Sequence, residues 1–245
     1  MNPRKSPPDE RLPLYQRLRD EMLEKITLGE WHPDEAIPPE SELTRTYGVA
    51  VGTVRKAVET LVAEGLLERN QGRGTFVRRP SFDASLFRFF RLLTTEGGRR
   101  IPEGRVLERV LEIPPEPVAV ALKLPTKAKA IRLARIRVID GKVALSEEIW
   151  LPKNRFSALL DIPLEDFDNL LYPFYESRCG QVVASAKETL TVEAASAAIA
   201  RQLAIEEGQP VVVIERLALG FDRKPLEWRR SHGAADTFRY QIDIC

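Results

Sequence analysis

The chain has 245 residues, with 37 Lys and Arg against 36 Asp and Glu, 43% hydrophobic residues, two His and two Cys. That length can bury one large or two small cores, and a formal charge of +1 means that a nucleic-acid partner has to be argued from where charges sit. The longest apolar runs, Val118 to Leu122 and Val211 to Ile214, fall far short of the roughly 18 residues of a membrane span. Met1 to Pro8 carries charge with no apolar segment behind it, so no secretory signal is read and the expected location is the cytoplasm. Cys179 and Cys245 are far apart, as are His32 and His232, so neither a disulfide framework nor a zinc spacing can be assembled and no metal or cofactor is expected.

Residues 1–11 are polar and rich in Pro, which reads as a flexible tail. Leu14, Leu18, Met22 and Ile26 recur every four residues and predict an amphipathic helix ending near Gly29. Gly29 to Pro39 holds three prolines, so a loop with a short extended piece is expected there. A second helix is predicted from about Glu40 to Tyr47, stopped by Gly48, and a third from Val51 to about Glu64 on the stripe Val54, Val58 and Leu61. Leu66 to Arg69 and Thr75 to Val77 read as two strands around Asn70-Gln71-Gly72-Arg73-Gly74.

Helix, loop, helix, sharp turn, helix and β-hairpin is the order of a winged helix-turn-helix, whose third helix enters the DNA major groove. Local charge agrees. Residues 44–79 hold seven cations, Arg45, Arg55, Lys56, Arg69, Arg73, Arg78 and Arg79, against Glu59, Glu64 and Glu68, and neutralising phosphates releases counterions. A charge run is also what a solvated face looks like, so charge alone would not decide the matter.

The first eighty residues resemble the DNA-binding domain of the GntR family of bacterial transcription regulators. The resemblance is carried by Pro13 to Gln16, Ile37 to Leu43, Tyr47-Gly48-Val49, Gly52 to Ala57, and Ala63 to Val77, in that order. It implies that Arg55 contacts DNA, with Thr53 and Lys56 beside it and Arg45 on the preceding helix, and that the wing tip Gly72-Arg73-Gly74 approaches the minor groove or its phosphates. Arginine's planar fork suits guanine or phosphate, and glycine lets the backbone come close. The chain departs from the family where a Ser-Arg or Thr-Arg pair commonly opens the recognition helix: here stand Ala50 and Val51, which can neither cap the helix nor donate to a base. Ser41 also stands where some relatives carry Arg.

Residues 79–88, beginning Arg79-Pro80-Ser81, read as a linker and 89–245 as a second domain. Strands are expected at about 86–92, 105–112, 131–139, 143–150, 182–192, 211–221, 226–231 and 237–244, with helices near 115–122, 153–160, 165–179 and 194–204. Asp140-Gly141 and Asp222 to Pro225 fall between strand pairs as hairpin turns, which predicts an antiparallel sheet flanked by helices. Arg135 and Arg137 share one face of a strand and could clamp a phosphate or carboxylate, although an exposed charged face is the plainer reading of spacing alone.

This half is similar to the UTRA effector-binding domain of the HutC-like branch of GntR regulators, a fold shared with chorismate lyase. Leu133 to Arg137, Asp140-Gly141, Ser146 to Pro152 and Asp222 to Trp228 carry the likeness. The other large GntR branch has an all-helical effector domain, often with a His-rich metal site, and this chain offers strands and only two His. The fold class expected is therefore α+β, a winged helix-turn-helix followed by an antiparallel-sheet α/β domain. The resemblance implies that Arg135, Arg137 and a Glu on the following strand line an effector pocket. A two-residue Asp140-Gly141 loop would pair Arg135 with Ser146 and bring Glu148 to the same face, whereas a three-residue loop would pair it with Glu147; residue order in the family favours Glu147. Ser146 beside Glu147 is a further pocket candidate, as are Ser185, Glu188 and Glu227 by resemblance. Relatives that bind phosphorylated sugars often carry an aromatic residue after the position of Glu227, where this chain has His232-Gly233.

The expectation is a cytoplasmic, homodimeric transcription regulator, a repressor, that binds an approximately palindromic double-stranded operator and a small anionic effector. A lyase-like enzyme on the shared fold and an architectural DNA-binding dimer without effector are the rivals.

Overall fold

The computed structural model describes residues 12–33, 35–78 and 102–238. The chain divides into two compact units, Met1–Arg79 and Pro80–Cys245. The expected tail at 1–11, linker at 79–88 and strands at 86–92 and 237–244 lie outside the described residues, apart from Thr237 and Phe238, which are not strand.

In the first unit α1 spans Leu14–Thr27, α2 Glu40–Tyr47 and α3 Val51–Ala63. Leu18, Met22 and Ile26 of α1 are buried, four residues apart, against the Val54, Ala57, Val58 and Leu61 face of α3; Leu14, the first residue of the expected stripe, is exposed. Gly48 ends α2 at φ 63°, a left-handed conformation that glycine adopts without a Cβ penalty and that turns the chain sharply into α3. Ala50 occupies the cap position of α3 with no side-chain hydrogen bond, as its missing hydroxyl dictates. The wing is β1, Leu67–Asn70, paired antiparallel with β2, Gly74–Val77. The extended piece before α2 joins it: Ala36 bridges Phe76, and Ile37 N donates to Thr75 O at 2.8 Å. Gly74 is required here, since a Cβ at its φ of 116° would meet Ala36 Cβ at 3.2 Å.

The second unit is a six-stranded antiparallel sheet in the order β3-β4-β5-β8-β7-β6, from β3 Glu103–Glu112, β4 Ala130–Ile139, β5 Lys142–Pro152, β6 Val183–Ala194, β7 Pro210–Gly220 and β8 Pro225–Ala234. Helices α4 Glu116–Ala121 and α7 Ala197–Leu203 cover one face, packing on Ala130 and Trp150 and on Val211 and Val213. The other face receives α5 Lys153–Phe156, a 3₁₀ turn at Ser157–Leu160 and α6 Leu171–Cys179, around Ile131, Leu133, Ile149, Leu151 and Phe174.

Two expected helices are shorter than their apolar patterns. The 165–179 segment is a 3₁₀ turn at Leu164–Asp166 followed by α6, because Pro173 lacks an N–H and is tolerated only in a first turn. The 153–160 segment is one turn of α5 that tightens into 3₁₀.

Candidate functional site

On α3 the buried positions leave Val51, Gly52, Arg55, Lys56 and Glu59 on the exposed face, with Thr53 half-buried. Arg45 at the end of α2 and Gly72 and Arg73 at the wing tip are exposed too. Glu40, the first residue of α2, holds Arg55 Nε at 3.1 Å and Arg69 of the wing at 3.3 Å. That contact uses Nε, so it does not spend the two terminal nitrogens that make a bidentate contact with a base or phosphate. Lys56 lies 4.1 Å above the Tyr15 ring, which orients its ammonium. Nothing lies within 4 Å of a Cβ added at Gly72, so the wing tip presents open backbone. Sequence reasoning missed Glu40, whose partners come from two other elements.

In the second unit the turn between β4 and β5 is the two-residue Asp140-Gly141, yet Arg135 stands opposite Glu147. An extra residue, Ala144, is inserted opposite the Arg137/Val138 step and shifts the register by one, so neither simple loop rule held. The outcome is a buried polar chain running across five strands. Arg135 of β4 donates to Glu147 of β5 at 3.0 Å, and Arg229 of β8 donates to Glu147 at 3.3 Å and to Glu227 at 2.8 Å. Tyr172 and Tyr175 of α6 donate to Glu227 at 3.1 and 2.8 Å, and Arg216 of β7 donates to Tyr172 at 3.2 Å and to Glu188 of β6. A Cβ at Gly104 on β3 would fall 1.9 Å from Arg135 Nη2, so glycine there makes room for the guanidinium.

Arg137 differs from its neighbours. It is 1% exposed, donates to Pro102 O at 3.3 Å, and forms no ion pair among the described residues. Burial pulls its pKa down to about 10, although Glu147 acts the other way. For Glu147, burial alone would raise the carboxyl, but Arg229 and Arg135, with Arg137 and Arg216 beyond them, hold it down to about 2. Burial lifts Tyr172 to about 12 and Tyr175 well above the ordinary phenol value, so both remain hydrogen-bond donors. The Nε atoms of Arg135, Arg137 and Arg229 are buried without a partner. Four guanidinium groups thus face three carboxylates, Glu147, Glu188 and Glu227, and an unpaired buried cation is costly until an anion meets it.

Of the expected pocket residues, Arg135, Arg137, Glu147, Glu188 and Glu227 are brought onto this one face. Ser146 is not: the Ala144 insertion puts it opposite Ile136 on the other face, where its hydroxyl donates to Gln202 of α7. Ser185 is exposed and set opposite Leu219, because it lies three residues from Glu188 in an unbroken register, an odd spacing that puts the two on opposite faces of the strand. Arg216, Arg229, Tyr172 and Tyr175 were not anticipated. A signal existed in the charged pair Glu215-Arg216 inside an apolar strand, and in Arg229 two residues after Glu227 on the same face. No group of three metal-ligating side chains occurs among the described residues, and no helix there is long and apolar enough to cross a membrane.

A winged helix-turn-helix joined to a sheet domain with a buried, charge-rich site is the layout of a ligand-responsive transcription regulator. Residues 14–77 match the bacterial regulatory proteins of the gntR family and residues 97–239 match the UTRA domain. The chain is 30% identical over 236 residues to the "Probable fructoselysine utilization operon transcriptional repressor" of Escherichia coli K12, covering 94% of each chain. It is 29% identical over 206 residues to the transcriptional repressor NagR of Bacillus subtilis, covering 84% of each. In fold it is similar to PhnF from Mycobacterium smegmatis, with a TM-score of 0.53, 24% identity, and coverage of 95% of this chain and 99% of that one. The chain belongs to the GntR family, in the HutC-like branch that carries a UTRA domain. It is a transcription regulator that binds DNA through its N-terminal unit and an effector through its UTRA domain, and its relatives are regulators rather than enzymes.

Because the folded Glu147 carboxyl sits near 2 against an ordinary 4.5, its contribution to stability is complete above about pH 4.5 and is lost as pH falls toward 2. Glu147→Gln should cost about 3 to 5 kcal/mol in urea unfolding at pH 7, since it leaves Arg135 with no carboxylate and Arg229 with Glu227 alone. The gap from the parent should narrow at pH 3; an equal gap at both pH values would show that Glu147 is not an ionised anchor.

Proposed function

We propose that the chain is a cytoplasmic, homodimeric repressor of an approximately palindromic operator, whose affinity changes when a small anionic metabolite enters the Arg135, Arg137, Arg216 and Arg229 cluster. The observation that carries the anionic effector is the surplus guanidinium, Arg137, buried with no carboxylate of its own among the described residues. A concavity of about 880 Å³ elsewhere in the second unit, rimmed by Lys123, Lys129, Lys153, Arg155 and Lys224, is the weaker candidate, because its lysines are exposed rather than desolvated. The repressor assignment is supported by similarity to chains named as repressors. By the same likeness, Arg45, Thr53, Arg55, Lys56 and the Gly72-Arg73-Gly74 tip are the proposed DNA contacts.

The mechanism is differential binding. An effector alters operator affinity only to the extent that it prefers a dimer whose two recognition helices are spaced differently from half-sites about one helical turn apart. The empty-domain architectural rival predicts no ligand-dependent shift in melting temperature at all.

Arg55→Ala should weaken operator binding at least tenfold and reduce the slope of affinity against salt by about one, with the fold unchanged by circular dichroism. Unchanged affinity and slope would remove Arg55 from the interface. Arg137→Ala should keep the parent's operator affinity and abolish the response to a metabolite found by melting-temperature screening of the parent protein. A normal response in gel shift would place the pocket elsewhere.

A further inference from the structure

The exposed line of α3 runs Val51, Arg55, Glu59 at four-residue intervals, so Val51 lies one turn ahead of Arg55 on the same face. Val51 is 50% exposed, although its side chain is wholly apolar. Nothing in the unit explains it: the core of α3 is complete with Val54, Ala57, Val58 and Leu61, and a β-branched residue gains no helix propensity at an exposed site. Its neighbours strip the same end of polar groups. Ala50 makes no side-chain cap bond, and a Cβ added at Gly52 would meet nothing within 4 Å. The leading end of the helix is therefore an isopropyl group beside bare backbone.

The N-terminal residues of a recognition helix are the ones that reach base edges. Among the groups that B-DNA displays in its major groove, the 5-methyl of thymine is the apolar one, while the other edges offer donors and acceptors that valine would desolvate without replacing. Resting on the reading that α3 enters that groove, we infer that Val51 is a specificity residue that selects thymine through its 5-methyl group. Gly52 assists by letting the helix backbone settle close to the base edge. Four residues of helix rise about 6 Å, against about 3.4 Å per base step, so the thymine lies one or two base pairs from the group taken by Arg55. Glu59, a further two turns from Val51, is carried out of the groove as the helix leaves it.

The test uses the full chain and duplexes that it selects from a randomised library, after which single thymines are replaced by deoxyuridine, which deletes only the methyl. The parent should lose about fourfold in affinity at one thymine per half-site, the worth of one buried methyl group. Val51→Ala should bind the thymine duplex correspondingly more weakly and no longer distinguish it from the deoxyuridine duplex. If no thymine methyl affects the parent, or if Val51→Ala discriminates as the parent does, the inference is overturned while the groove reading stands. If Arg55→Ala binds the selected duplexes like the parent, the groove reading falls and this inference falls with it.

Discussion

One buried ion-pair chain organises the second unit: Arg135, Glu147, Arg229, Glu227, Tyr172, Arg216 and Glu188, linked in that order across β4, β5, β8, β7 and β6. Each member is tolerable only because the next is present. Glu147 alone in that interior would be driven neutral, and Arg229 alone would carry an unsolvated charge in the middle of the sheet, between β5 and β7. Sheet order supplies the spacing, because residues two apart on a strand and opposite residues on its neighbour share a face. The chain ends unbalanced at Arg137, and that imbalance is the ground for the proposed anionic effector.

The first unit solves a different problem, which is to expose cations on a small core. Its buried residues are drawn mainly from the inner stripes of α1 and α3, with Ile37, Leu43 of α2 and Leu66, Leu67 and Val77 at the wing closing the edges. That leaves one side of α3 free of packing duties. Glu40 then pairs with both Arg55 and Arg69 and so restricts two long side chains on that exposed side. The strand-like piece at Ile37, bonded to the wing at Thr75, ties the start of α2 to the hairpin. Side-chain and backbone bonds thereby connect α3, the start of α2 and the wing.

The helical unit was legible almost throughout, because four-residue apolar spacing, Gly48 and the Asn70 to Gly74 loop are local signals. The sheet was legible as strands and turns but not as a site. Ser146 illustrates why: the single-residue insertion at Ala144 reverses the face it presents, and nothing in the adjoining sequence announces it, whereas Ser185 follows plain alternation, three residues from Glu188 and therefore on the opposite face. Arg216 and Arg229 illustrate the converse, since their importance follows from β8 lying between β5 and β7, a neighbourhood set by the fold. Arg135 and Glu147 were reached through resemblance, and the physical reason they meet is the bulge. Helix 165–179 was misjudged for a local reason, the single Pro173.

The central claim is that Arg137 is a charge awaiting a partner, and the unfolding temperature of Arg137→Met without any metabolite addresses it most directly. Methionine keeps most of the volume and removes the buried charge, so the account predicts a variant that melts at or above the parent's temperature. A melting temperature lowered by several degrees would mean that the guanidinium is already fully compensated in the empty protein, and would contradict the account.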